Sequence, residues 1–199
     1  MMKLYSAPGA CALAPHIALI ELGLDYQLEA VDFATRATAE GRTIESINVK
    51  GKVPALVLDG GATLTESAVI LAYLAERGAG LMPPAGTLLH WRVREWLNFL
   101  AAEVHKDFEP LFRPGATDGA KTDARVALGR HFAFLESQLV PECYLAGEAF
   151  GVADLYLFVL LRWATWMQIP VGPRLMALYG RVLQRPAVQQ ALREEGLPH

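Results

Sequence analysis

The chain has 199 residues, of which 53% are hydrophobic and 20% charged, and its formal net charge at pH 7 is −3. This length suits one large domain or two small ones, and the apolar balance excludes a disordered chain. The low net charge, with no long run of one sign, argues against a nucleic-acid-binding surface. We therefore expect a globular protein that does not bind nucleic acid.

Targeting and redox features predict a cytoplasmic protein. The N-terminus reads as strand, turn and helix and lacks the long apolar segment of a secretory signal. The apolar run from Leu155 to Leu161 is too short to span a bilayer and predicts a buried helix, so no membrane partner is expected. Cys11 and Cys143 are too few for a disulfide framework, and no His, Cys, Asp or Glu cluster has metal-ligand spacing. We expect no metal and no permanently bound cofactor.

The N-terminal part of the chain alternates between strand-like and helix-like segments. MKLYS predicts a strand, residues 12–22 predict a helix that ends at Gly23, and YQLEAVDF predicts a half-buried strand. Residues 34–46 are ambiguous between a loop and a weak helix. VPALVLD and ATLT, separated by two glycines, predict a hairpin, and ESAVILAYLAER predicts a helix. This order places a small mixed sheet between helices.

The rest of the chain predicts helices alone. Residues 80–86, which contain glycine and a Pro-Pro pair, are the best linker. The helices are expected at 88–112, 120–139, 153–167, 174–183 and 187–195. The predicted architecture is an α/β domain at 1–79, the linker at 80–86 and an all-α domain at 87–199.

Two short segments of the first domain suggest a binding site. In KVPAL, Pro54 marks either the start of an edge strand or a cis Val53–Pro54 bond, which would turn the backbone of Val53 outward to pair with an extended peptide. In LTESAVI, a helix begins near Glu66 and Ser67, and its free N–H groups favour an anion. An ordinary helix cap is the alternative there. Together the carboxylate and the helix end could hold both charges of an amino-acid-like group.

Cys11 and His105 are the candidate reactive residues. Cys11 follows a Pro-Gly turn and precedes a helix, and a helix N-terminus lowers a thiol pKa. Asn98 and His105 are seven residues apart and are expected on one helix face, either as a solvated stripe or as a pair that faces a cleft. His16 is expected in packing or capping, and the tryptophans are expected mostly in the core.

Six segments of this chain together resemble the glutathione S-transferases, in particular the bacterial beta class. They follow the family's order across nearly the whole sequence and are KLYSAPGACALAPHIAL, NVKGKVPAL, LTESAVILAYLA, EWLNFLAAEVHKDFEPLF, VADLYLFVLLRWA and RPAVQQAL. The resemblance implies a thioredoxin-like N-terminal domain, an all-α helical C-terminal domain and a homodimer. It also implies glutathione as cosubstrate and a small hydrophobic electrophile as second substrate.

The resemblance also implies roles for particular residues. Cys11 lies beside the glutathione sulfur, and His105 gives hydrogen-bonding or acid–base help from the other domain. The remaining glutathione contacts are the Val53 backbone before the cis-proline Pro54, the γ-glutamyl-binding pair Glu66 and Ser67, Arg36 for the glycine carboxylate, and Asn98 from across the dimer interface. From their apolar character and chain position, the residues expected near the electrophile are Tyr5, Ala7, Phe112, Trp163 and Trp166.

Two positions depart from the family's pattern, and two alternative functions stay open. Ala12 stands where many relatives carry serine, and Gly151 replaces the Ser or Thr that caps the VADLYLF helix, although Asp154 can still bond back to the Gly151 N–H. One alternative is a glutathione-dependent disulfide reductase, peroxidase or dehalogenase that acts through Cys11. The other is a non-catalytic glutathione-binding protein on the same fold.

Overall fold

The computed structural model describes residues 1–198 and divides them into two compact units. Unit 1 contains residues 1–82 and 183–198, and unit 2 contains residues 83–182. The predicted boundary assigned everything after residue 86 to the helical domain. The last helix instead groups with unit 1, because it packs on the first helix of the chain.

Unit 1 is built on a five-stranded sheet in the order β3-β2-β1-β4-β5. β1 and β2 are parallel, as a strand-helix-strand unit requires, and β4 and β5 form the predicted antiparallel hairpin. The β1–β4 and β2–β3 pairs are also antiparallel. The ambiguous segment after β2 forms the short strand β3 and a 3₁₀ turn at Ile44–Ser46. The strands are Met2–Ser6 (β1), Tyr26–Asp32 (β2), Ala37–Thr38 (β3), Ala55–Val57 (β4) and Thr63–Thr65 (β5).

Three helices complete unit 1: α1 at Leu13–Glu21, α2 at Ser67–Ala75 and α9 at Pro186–Glu194. Pro15 lies in the first turn of α1, where its missing N–H costs no helical hydrogen bond. α1 is buried from Leu13 to Leu19, since α2 and α9 both pack on it. α1 is therefore the central helix of unit 1.

Unit 2 consists of helices, but the long segment expected at 88–112 is interrupted. A π-helical turn at Leu100–Val104 and short helices at His105–Asp107 (α4) and Glu109–Phe112 (α5) follow the first helix. Among residues 1–198, no helix is long and apolar enough to cross a membrane. The longer helices are Leu88–Phe99 (α3), Asp118–Gln138 (α6), Val152–Trp166 (α7) and Pro173–Leu183 (α8).

Two of the four tryptophans contradict the expected core placement. Trp91 and Trp166 are exposed, whereas Trp163 is buried. Helical spacing alone could not separate these cases, because all of them lie on helices that also carry an apolar face. Trp91 lies in the first turn of α3, and Trp166 is the last residue of α7.

A hydrogen-bonded cluster around the buried His16 fastens α9 to α1 in unit 1. His16 of α1 is fully buried, with Nδ1 2.9 Å from Glu195 Oε1 and Nε2 2.9 Å from Glu194 Oε2. Nε2 also lies 3.0 Å from the Tyr26 hydroxyl oxygen, so strand β2 joins the same cluster. Glu195 Oε2 also accepts the Gly9 N–H at 2.8 Å, two residues before Cys11. The cluster thus holds the Cys11 loop as well as the C-terminal helix.

Replacing Glu195 by glutamine is expected to lower the free energy of unfolding by about 3 kcal/mol. Glu195 Oε1 faces His16 Nδ1 and its Oε2 accepts the Gly9 N–H, whereas a glutamine amide offers an acceptor oxygen at only one of these two positions and leaves the other buried group unpaired. The measurement is urea unfolding at pH 7. Glu95→Gln is the control, because Glu95 forms an exposed pair with Arg92, worth about 0–1 kcal/mol. Equal stability of the two variants would show that the cluster does not fasten α9.

Asp154 fixes the start of α7 in unit 2. Its Oδ2 accepts the Gly151 N–H and its Oδ1 accepts the Leu145 N–H, both at 2.8 Å. The predicted bond back to Gly151 is therefore present, and a second bond ties the preceding loop to the same carboxyl. Burial raises the pKa of Asp154 to about 7, against the lowering effect of these backbone donors.

This raised pKa predicts how stability changes with pH. In the unfolded chain Asp154 ionises near pH 4. Its contribution is therefore complete below that pH and is lost as the pH rises through about 7. Between pH 5 and 7, the stability difference between the wild type and Asp154→Asn should shrink by about 1.4 kcal/mol per pH unit. Urea unfolding across this range measures it, and a difference that does not vary with pH would contradict the assignment.

Candidate functional site

Cys11 lies in the loop between β1 and α1, just before the Ala12 N-cap. Its side chain is buried, and its Sγ–H donates to the carbonyl oxygen of Val53 at 3.4 Å. The loop is closed by the Ala10 N–H, which donates to the Ala7 carbonyl, and by the Gly9 contact with Glu195. The Cys11 thiol is therefore hydrogen-bonded to the Val53 carbonyl and lies in a loop whose shape is fixed by backbone hydrogen bonds.

The expected low pKa of Cys11 is wrong. Burial raises the pKa of this thiol above that of an exposed one, whereas interaction with the Ser67 side chain lowers it by less. Glu66 adds a negative charge that also raises it. The helix N-terminus does not outweigh the loss of water around the sulfur. Cys11 is thus protonated at neutral pH and acts as a hydrogen-bond donor.

The segment before β4 has the predicted backbone. The Val53–Pro54 peptide bond is cis, which confirms that prediction, and both residues are buried. β4 begins directly afterwards at Ala55 and pairs with β1 and β5. The backbone of Val53 therefore lies two residues before β4, which is an interior strand, and beside the Cys11 thiol.

α2 begins at Ser67, close to where the sequence predicted a helix start. Glu66 is the N-cap residue, and its side chain makes no capping hydrogen bond to the helix. Its φ of 70° is rare for a residue other than glycine, and such strain is typical of ligand sites. Ser67, the first helical residue, is buried. The first-turn N–H groups of a nine-residue helix are thus available to an anion.

Lys50 is a neighbour of Glu66 that the sequence analysis did not single out. Its Nζ lies 2.6 Å from Glu66 Oε1 and 3.0 Å from the Thr65 hydroxyl. Both charged side chains are more than half exposed, so the pair is weak. A ligand ammonium can therefore compete with Lys50 for the Glu66 carboxylate. The NVKGKVPAL segment contained this lysine, but no spacing rule relates it to Glu66.

Arg36 is engaged with protein partners in this structure. Its Nε donates to Glu45 Oε1 at 2.6 Å, and its Nη2 contacts the same carboxylate and the Gly51 carbonyl. Arg36 has a φ of 57° and is exposed. Arg36 must release Glu45 before it can bind a ligand carboxylate, and an exposed pair of this kind opens at low cost.

Asn98 and His105 do not share a helix face, so that expectation is wrong. The π-helical turn at Leu100–Val104 lies between them and closes i→i+5 hydrogen bonds. One such turn acts like an inserted residue and rotates the following helix by about 100°. Asn98 is exposed on α3, whereas His105 begins α4 half-buried. No sequence rule for α-helical spacing anticipates this turn.

His105 lies within an aromatic cluster of unit 2. Its Nδ1 is 2.6 Å from the Tyr156 hydroxyl oxygen, and its ring meets the Trp163 ring edge to face at 5.1 Å. Trp163 also contacts Phe112 at 4.9 Å, and Phe112 contacts Trp166 at 6.1 Å. Phe112 and Trp166 are exposed, so this end of the cluster offers an apolar surface. Sequence analysis missed Tyr156, because a tyrosine in an apolar helix predicts core.

Two of the residues expected near the electrophile lie in unit 1. These are Tyr5 and Ala7, which are buried in the core of that unit. The Tyr5 hydroxyl accepts a hydrogen bond from Arg42. Within residues 1–198, no group of His, Cys, Asp or Glu side chains is arranged to hold a metal ion.

Comparison with known proteins relates the chain to one family over most of its length. A model of the glutathione S-transferase N-terminal domain matches residues 9–77, and a model of the C-terminal domain matches residues 99–186. Glutathione S-transferase GstA of Escherichia coli O157:H7 is 40% identical over 98% of this chain and 100% of its own length.

Two solved structures extend this similarity to the fold. A sphingomonad glutathione S-transferase complexed with glutathione has a TM-score of 0.91 and 45% identity over 98% of this chain and all of its own. The bacterial beta class glutathione S-transferase of Sphingomonas chungbukensis has a TM-score of 0.91 and 46% identity over the same shares. The resemblance to the beta class is therefore confirmed.

Alkylation by iodoacetamide tests the protonation state of Cys11. In a Cys143→Ser background, the pH midpoint of the reaction should lie above the value of about 8.5 for an exposed thiol, because burial disfavours the thiolate. The matched control is the Cys11→Ala protein, in which the half-buried Cys143 alone reacts. A midpoint below that value for Cys11 would contradict this account.

Proposed function

Because the chain belongs to the glutathione S-transferase family, we propose that it conjugates the thiol of glutathione to small hydrophobic electrophiles. The observation that carries this proposal is the α2 N-terminus, which lies next to a carboxylate and near a buried thiol donor. Glutathione carries an α-amino and an α-carboxyl group at its γ-glutamyl end. Glu66 suits the ammonium, and Ser67 with the first-turn N–H groups of α2 suits the carboxylate.

With the γ-glutamyl end bound at α2, the cysteinyl and glycyl parts of glutathione also have proposed partners. The backbone of Val53, before cis Pro54, is the proposed partner of the cysteinyl peptide group, because extended peptides bind strand edges through main-chain hydrogen bonds. Arg36 is the proposed partner of the glycine carboxylate, after it leaves Glu45. Cys11 then lies closest to the glutathione sulfur, since its thiol contacts the Val53 carbonyl.

The nucleophile in this proposal is the sulfur of glutathione. Cys11 is protonated, and a thiol attacks far more slowly than a thiolate. Its S–H group can instead donate to the glutathione thiolate and stabilise it. This favours conjugation over the disulfide reductase or peroxidase alternatives, in which Cys11 itself attacks. His105 is proposed as the second catalytic group, for hydrogen bonding or acid–base help.

The electrophile and a second copy of the chain are the proposed further partners. The exposed aromatic end formed by Phe112 and Trp166 suits an apolar substrate. Exposed apolar side chains on α3 and α6 suit a homodimer, in which Asn98 would contact glutathione of the other subunit. These side chains are Leu88, Leu89, Trp91, Val126 and Phe134. The two free cysteines are compatible with a cytoplasmic location.

Calorimetry with the Glu66→Gln variant tests the glutathione site. Loss of the carboxylate should weaken glutathione binding by about 1.5–3 kcal/mol, the scale of a hydrogen bond to a charged group. Asp59→Asn is the control for loss of one negative charge in unit 1, because Asp59 pairs with the N-terminal amine. Unchanged affinity of Glu66→Gln, or equal weakening in both variants, would refute the assignment.

The Cys11→Ala variant separates conjugation from thiol exchange. Conjugation to an aromatic electrophile should fall but persist, since the attacking sulfur belongs to glutathione. Reduction of a mixed disulfide substrate should persist as well. Its loss in this variant would support the alternative in which Cys11 is the attacking nucleophile. Turnover assays for both reactions, with mass spectrometry for a Cys11–glutathione adduct, make the distinction. Complete loss of conjugation would favour covalent participation of Cys11.

A further inference from the structure

The contact between His105 and Tyr156 constrains both the orientation and the tautomer of the His105 imidazole. Tyr156 is 1% exposed, and its hydroxyl lies 2.6 Å from His105 Nδ1. Trp163, seven residues later on α7, confines the same imidazole edge to face at 5.1 Å. Residues seven apart share one helix face, so α7 presents both contacts together. The imidazole therefore has one defined orientation within unit 2.

The backbone on both sides of this contact is constrained. The π-helical turn at Leu100–Val104 ends directly before His105 and sets the direction in which its side chain leaves the helix. Asp154 fixes the first turn of α7 two residues before Tyr156. The backbone positions that carry the two side chains are therefore set independently of the contact between them.

The chemistry of the two groups decides the direction of the hydrogen bond. A phenol is a stronger acid than a neutral imidazole N–H, and an imidazole nitrogen is a stronger base than a phenol oxygen. The Tyr156 O–H therefore donates to the lone pair of Nδ1. In the neutral ring the proton then lies on Nε2, which becomes the donor.

We propose that Tyr156 is a positioning residue that holds His105 as its Nε2–H tautomer for the transferase reaction. The inference rests on the proposed function only for its effect on turnover. With the tautomer held, Nε2 presents a proton to a developing negative charge in every catalytic cycle. Without the Tyr156 hydroxyl, Nδ1 loses the O–H donor that selects this tautomer.

The first experiment observes the tautomer directly, in protein labelled with ¹⁵N-histidine. The chain has five histidines, and comparison with His105→Ala identifies the signals of His105. At a pH where His105 is neutral, Nδ1 should resonate as an unprotonated nitrogen and Nε2 as a protonated one. In Tyr156→Phe the two signals should move toward each other. A protonated Nδ1 in the wild type, or unchanged signals in the variant, would overturn the proposal.

The second experiment relates the tautomer to turnover with glutathione and an aromatic electrophile. Tyr156→Phe should lower kcat about 5- to 20-fold, part of the usual contribution of a general acid or base, and change KM for glutathione less than about twofold. In the His105→Ala background the same substitution should change kcat less than about twofold, because the two residues act as a unit. An equal loss of kcat in both backgrounds would overturn the proposal.

A matched control removes a hydroxyl from the neighbouring helix. Tyr179 of α8 stacks on Phe158 of α7 at 5.1 Å, and Tyr179→Phe should leave the His105 signals and kcat unchanged. Changes equal to those in Tyr156→Phe would show a general packing effect and overturn the proposal. If the wild type fails to bind glutathione in calorimetry, the proposed function fails, while the ¹⁵N spectrum still decides the tautomer.

Discussion

The buried carboxylate of Glu195 is the contact on which the arrangement of unit 1 depends. It bonds His16 of α1 and the Gly9 N–H of the Cys11 loop, and it lies 3.3 Å from the Ser6 hydroxyl at the end of β1. One side chain near the C-terminus thus joins a strand, a loop and a helix from the first sixteen positions. The loop shape that holds the Cys11 thiol against Val53 follows from this clamp.

The raised pKa of Cys11 is a consequence of the same enclosure. A clamped loop excludes water from the sulfur, and the loss of hydration exceeds what the helix end and Ser67 return. A protonated donor beside the proposed glutathione sulfur is useful for conjugation and unsuitable for attack by Cys11 itself. Burial, more than position at a helix end, therefore sets the chemistry of this residue.

Unit 2 uses a corresponding arrangement around His105. Asp154 anchors α7, which presents Tyr156 and Trp163, while the π-helical turn directs His105 toward them. The histidine is thus held from two separate helical segments. A histidine with a defined tautomer can act with the same nitrogen in each turnover.

Local patterns in the sequence predicted β1, β2, β4 and β5, most helix limits and the cis bond before Pro54, but not β3, whose segment was ambiguous between a loop and a weak helix. They did not predict features that depend on distant ones. The pKa of Cys11 depends on enclosure by the rest of unit 1, and the attachment of α9 depends on His16. The π-helical turn before His105 was not predicted either, because its residues are ordinary helix formers. Arg36 had a charge suited to a ligand, but its pairing with Glu45 required the folded loop.

The central claim is that glutathione binds at the start of α2, beside the Val53 backbone. The most direct measurement is a titration of ¹⁵N-labelled protein with glutathione, followed through assigned backbone amide signals. The account predicts that the largest shifts belong to Ser67, the following amides of α2, and Val53. Saturable binding with these amides unchanged would contradict it.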